Sequence, residues 1–84
     1  MNYQTVIDLG FEREQMEDDV LFKQNGYQWF LVTKKLTKRI IAEWSCESKT
    51  VQLVRYDKKD NVLGRLDVNS VYELEKYIEF FSNP

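Results

Sequence analysis

The side chains able to do covalent chemistry are few, and they stand apart. Cys46 is the single cysteine, and the chain has no histidine. A nucleophilic thiol or hydroxyl needs a base beside it to shed its proton. Ser-His and Cys-His pairs are therefore excluded, and so is a histidine general base. One cysteine also falls short of a zinc site, which takes several Cys or His ligands. With three isolated glycines, neither the GxGxxG fingerprint nor the P-loop can be written. The run Asp57-Lys58-Lys59-Asp60-Asn61 gathers acids and an amide as a calcium loop does. Lys59 and Val62 fill the slots that such a loop gives to a ligand and to glycine, so the run reads as a solvated hairpin turn. Glu17, Asp18 and Asp19 are contiguous acids, the pattern of a solvated surface rather than of a Mg²⁺ site. The residues predict no catalytic centre, no metal site and no cofactor.

What remains is chemistry of binding, and the charge is sorted for it. Residues 1–20 carry a net −5, residues 21–66 a net +6 and residues 67–84 a net −3. Two constellations follow. The first is the basic cluster Lys34, Lys35, Lys38 and Arg39, with Lys58 and Lys59 nearby and Tyr27, Trp29 and Tyr56 on neighbouring strands. Cations for phosphates and ring faces for bases are what a single-strand nucleic-acid surface needs. Against that stands a pI of about 5.1, because such binders are basic overall. The second is the acidic stretch Glu12, Glu14, Glu17, Asp18 and Asp19, which fits a basic groove on another protein. Tyr27, Trp29 and Leu31 alternate along one strand. If the helices cover the other face, they form an exposed protein-binding patch.

These side chains must be positioned by strands in the middle and helices at the ends. Asn2 can cap a short helix over 2–9, with Tyr3, Val6 and Ile7 at helical spacing and Gly10 as its left-handed terminator. Residues 12–19 are polar apart from Met16 and read as a loop or helical turn. Residues 20–24 read as a strand, Asn25-Gly26 as a type I′ hairpin turn, and 27–33 as the returning strand. A turn or bulge follows at 34–37. Ile40, Ala42, Trp44 and Cys46 alternate along a strand over 38–46, which makes Trp44 a core residue and Cys46 a small strand residue. After a turn at 47–49, a strand runs over 50–56, and a polar turn at 57–61 leads to a short fifth strand over 62–66. Residues 67–81 close with a helix capped by Asn69 or Ser70, its apolar stripe being Val71, Leu74, Ile78 and Phe81. The expected fold is α+β: a four- to five-stranded antiparallel meander with the N- and C-terminal helices packed on one face.

The 84 residues make one small domain, 1–84, read as a complete protein. Its 43% hydrophobic and 14% aromatic content is too rich for disorder, yet the core is modest, and dimerisation would add stability. One cysteine allows no internal disulfide, which favours a reducing cytoplasmic setting. The longest apolar run, Trp29 to Val32, is far too short to span a membrane, and no signal peptide is visible.

A short helix ending in Leu9-Gly10-Phe11 leads through an acidic connector to a charged meander. That meander contains Lys34-Lys35-Leu36-Thr37-Lys38-Arg39 and Val54-Arg55-Tyr56-Asp57-Lys58-Lys59, and the chain closes on Ile78-Glu79-Phe80-Phe81. The whole resembles small proteins of bacteriophages and prophages. That group is similar in size and charge to phage-encoded inhibitors of host defence, among them anti-CRISPR proteins. The resemblance implies a protein-binding module that inhibits a host protein by occluding its surface. Nucleic-acid binding through the basic sheet and assembly through homodimerisation are the alternative expectations.

Overall fold

Asn2 starts the first helix by lending its side chain to the backbone. Its Oδ1 accepts from the Thr5 N–H at 2.8 Å and from the Thr5 hydroxyl at 2.7 Å. This N-cap fixes α1, Tyr3–Asp8. Gly10 ends the helix at φ +97°, a conformation open to glycine. A Cβ there would stand 2.8 Å from the Lys34 Nζ. The turn carries Phe11 back under the helix, where its N–H donates to the Val6 carbonyl at 3.0 Å and its ring is buried.

The structure, a computed structural model, describes residues 1–14 and 30–82. The expected strand over 20–24 and the Asn25-Gly26 hairpin lie outside the described residues. Among the described residues five strands follow α1: β1 Glu12–Glu14, β2 Leu31–Lys35, β3 Ile40–Ser45, β4 Val51–Tyr56 and β5 Val62–Val68. They form one antiparallel sheet in the order β1-β2-β3-β4-β5, the meander that the strand spacing predicts.

Several boundaries differ from the sequence reading, and Lys38 and Arg39, expected to open the third strand, precede it. Glu12–Glu14 is an edge strand on β2 rather than a loop or helical turn, because pairing supplies backbone bonds that a polar sequence pattern does not advertise. Lys34 and Lys35 belong to β2 rather than to the turn, which occupies residues 36–39. There the Thr37 hydroxyl accepts from the Arg39 and Ile40 N–H groups at 3.1 and 3.0 Å. Asp67 belongs to β5, which runs through Val68, so the C-terminal helix starts later.

That helix, α2, spans Val71–Ser82. Ser70 caps it: its Oγ accepts from the Glu73 N–H at 3.1 Å, while the Glu73 carboxylate accepts from the Asn69 N–H at 3.4 Å. This reciprocal pair satisfies two backbone donors and sets a negative charge at the positive end of the helix dipole.

The period-two alternation of the strands places Val32, Trp44, Val51 and Val68 in one row, each opposite the next. Ala42 and Leu53 form the row beside it. Val6 and Phe11 from the N-terminal segment and Leu74 from α2 join the same buried cluster, so both helices cover one face of the sheet. Trp44 is core, as its alternation predicts, and its indole N–H donates to the Met1 carbonyl at 2.9 Å. Tyr3 and Phe30 lie against it, with ring centroids 6.0 and 6.1 Å away. The Arg13 guanidinium sits 4.6 Å from the Phe30 ring centroid.

Leu74 is fully buried beneath α2. Truncating it to Ala removes apolar contact and leaves a cavity, with an expected cost of about 2–5 kcal/mol. Glu79→Ala on the exposed flank should stay within about 0.5 kcal/mol of the parent. Urea unfolding followed by tryptophan fluorescence measures both.

Candidate functional site

The sheet face away from the helices carries polar pairs laid over a buried valine. The Tyr56 N–H donates to the Arg39 carbonyl at 2.8 Å, yet its hydroxyl reaches the Glu43 carboxylate at 2.7 Å. Glu43 pairs with Gln52, so the phenol spans the row of Ile41 and Val54 that lies between. Val54 is fully buried on this face, which neither α1 nor α2 covers. Farther along, the Arg65 guanidinium donates to the Gln52 side chain at 3.2 Å, and the Gln52 amide donates to Asp67 at 2.8 Å. A hollow of about 350 Å³ opens among Leu31, Glu43, Gln52 and Arg65.

The basic cluster divides across the sheet. Lys34 lies opposite Ala42 on the helix side and is half-buried, with its Nζ beside Gly10. Lys35 points to the other face, where it is exposed and shares a shallow hollow with Lys38, Ile41, Tyr56 and Asp60. Arg39 donates to the Asp57 carbonyl at 2.9 Å and so braces a hairpin. The structure brings Lys35 and Lys38 together, sets Lys34 on the other face and ties the Arg39 guanidinium to the β4–β5 turn. The Tyr56 ring beside them has its hydroxyl engaged by Glu43.

Of the acidic stretch, Glu12 is exposed on edge strand β1 and Glu14 is the last residue of that strand. Glu17, Asp18, Asp19, Tyr27 and Trp29 lie outside the described residues. Cys46 is half-buried, and its Sγ accepts from the Phe30 N–H at 3.2 Å. Among the described residues, no three Cys, Asp or Glu side chains gather into a metal-holding group. No described helix is long and apolar enough to cross a membrane.

The apolar surface lies elsewhere, at the β5 edge and the adjoining flank of α2. Six of the seven β5 residues are exposed, among them Val62, Leu63 and Leu66. Leu66 is 49% exposed and Phe80 72%. Beside Leu66 a groove of about 260 Å³ is lined by Leu53, Leu66, Tyr77 and Phe81. Phe80 shares a second hollow with Lys76, Tyr77 and Phe81, its ring edge-on to Phe81 at 5.1 Å. Reading the sequence for charge missed this surface. The signal was present in α2, where Tyr72 and Phe80 belong neither to the apolar stripe nor to its charged side.

The chain matches no protein-family model, no curated protein and no solved structure.

The β4–β5 turn holds a group whose titration is clearly displaced. The Asp57 carboxylate accepts from the Asn61 N–H at 2.9 Å, the Lys59 N–H at 2.8 Å and the Asn61 side-chain amide at 3.2 Å. The backbone donors of Asn61 and Lys59, with a smaller contribution from Arg39, hold its pKa below the ordinary aspartate value. Asp60 completes the turn at φ +63°, which Asp tolerates better than most residues. Because the folded chain binds this proton more weakly than the unfolded chain, the stabilisation is present above about pH 3.9 and fades as pH falls through the folded-state pKa. An NMR titration should place the Asp57 midpoint below that ordinary value. Amide exchange at Lys59 and Asn61 should quicken on the acid side of it, and Asp57→Ala should quicken that exchange at neutral pH.

Proposed function

We propose that this chain is a non-catalytic protein-binding module that takes an extended segment of another protein along β5 and seats apolar side chains of that segment in the adjoining groove. The observation that carries the reading is the exposed apolar edge: among the described residues β5 pairs on one side only, with β4, and Leu66, Tyr77 and Phe81 line the groove beside it. Strand addition draws affinity from the main chain and specificity from pockets for alternate side chains. Exposed aromatics at the rim of an apolar groove are typical anchors of protein interfaces.

In the setting that the phage resemblance implies, the bound protein is a host protein, the compartment is the host cytoplasm, and binding inhibits by covering the host protein's surface. Glu12 and Glu14, on the opposite edge of the sheet, would then steer association rather than anchor it. The nucleic-acid reading has weaker support, because Lys34 and Lys35 face opposite sides of the sheet and Arg39 is engaged by the Asp57 carbonyl.

The test is a tagged capture from bacterial lysate, with and without nuclease, repeated with Phe80→Glu and with the pair Lys35→Glu and Lys38→Glu. One stoichiometric protein should survive nuclease, persist with the lysine pair reversed and drop at least tenfold with Phe80→Glu, the loss of about 1.4 kcal/mol or more expected of an interface anchor. Capture that vanishes with nuclease or with the lysine reversal overturns the reading in favour of nucleic acid.

A further inference from the structure

The regular part of β5 is short and symmetric about one residue. Arg55 pairs with Gly64 and Tyr56 with Val62, so Leu63 is the extra residue of a β-bulge. A bulge bends a strand and interrupts regular pairing. Gly64 to Val68 is the uninterrupted run, and Leu66 is its midpoint. Arg65 and Asp67 flank that midpoint, both exposed and both on the face away from the helices, opposite Val54 and Gln52 respectively.

From this pattern we infer that β5 binds a second copy of this chain, antiparallel, with the two-fold axis at Leu66. The inference rests on the reading of β5 as a protein-docking edge and names the occupant of that edge in the free protein. In this register Arg65 of each copy faces Asp67 of the other, giving two reciprocal ion pairs on the open face. Leu66 faces its own counterpart on the helix side, and Gly64 faces Val68. Shifting the axis by one residue either way sets Arg65 against Arg65 or Asp67 against Asp67, and like charges directly opposite are destabilising. Charge therefore selects the same centre that the bulge selects.

The two α2 helices then lie on the same side of a ten-stranded sheet. Tyr77 and Phe81 line a groove with Leu66 of the seam, so dimerisation covers apolar surface at the β5 edge. Five paired residues give a seam of about 17 Å per strand, and the aromatic flank adds the apolar contact that a short seam needs. A target protein that uses β5 has to displace this second copy.

Light scattering coupled to size exclusion reads the result, at about 100 µM chain, enough to populate mostly dimer if Kd is micromolar. The parent chain should show twice the chain mass. Arg65→Asp alone places carboxylates against carboxylates and should be monomeric, as should Asp67→Arg alone, which places guanidinium against guanidinium. The double swap in one chain, and an equimolar mixture of the two single variants, should both return to twice the chain mass. Circular dichroism of each variant confirms that it is folded. A monomeric parent overturns the inference, and if that monomer still captures a protein through Phe80, the docking reading stands without it. Single variants that remain fully dimeric also overturn the inference, because the seam then lies elsewhere.

Discussion

The fold depends on one row of side chains that crosses four strands: Val32, Trp44, Val51 and Val68. A strand has a side-chain period of two, so a slip of one residue in any pair would send that strand's buried set to solvent. The row therefore fixes the register of β2 through β5 at once. It also fixes where the helices go, since Val6, Phe11 and Leu74 pack into the same buried cluster. Local devices then trim the ends. Asn2 and Ser70 start the helices, Gly10 turns the chain under α1, and Asp57 ties the β4–β5 turn.

Much of this was legible in the sequence because the signals were local or periodic. Asn2, Gly10, the alternation through Ile40 to Cys46, the polar turn at Asp57 and the stripe through Leu74, Ile78 and Phe81 each state their structure within a few residues. The α+β meander with both helices on one face follows from them. The misplaced boundaries share a different cause. Glu12–Glu14 is a strand because β2 lies beside it, and Asp67 is a strand residue because it pairs with Gln52. Pairing across the sheet decides such positions, and a polar sequence does not announce its partner.

The candidate site was less legible for a related reason. Adjacent lysines in sequence look like one cluster, yet on a strand neighbours point to opposite faces, and Lys34 and Lys35 are separated by the sheet itself. The apolar surface at Leu66, Tyr77 and Phe80 draws on a strand and a helix that meet only in the folded chain. Its local traces are Tyr72 and Phe80, aromatic residues outside the buried stripe. A charge map finds where a chain is basic or acidic; it does not find where an edge has been left uncovered.

The two edges of the sheet are built differently, and the difference bears on how far self-association can go. β1 is three residues long and reads Glu-Arg-Glu. An antiparallel copy centred on Arg13 would set arginine against arginine and glutamate against glutamate, so this edge rejects its like, as short charged edges commonly do. β5 carries one charge of each sign about a central leucine, a pattern that an antiparallel copy satisfies and that a parallel in-register stack does not. A two-fold contact uses the same patch on both partners. Were β5 to meet β5, the outer strands among the described residues would be two copies of β1. Such a particle would present edges that repel a third copy, so the charge pattern that sets the register would also end the assembly at two.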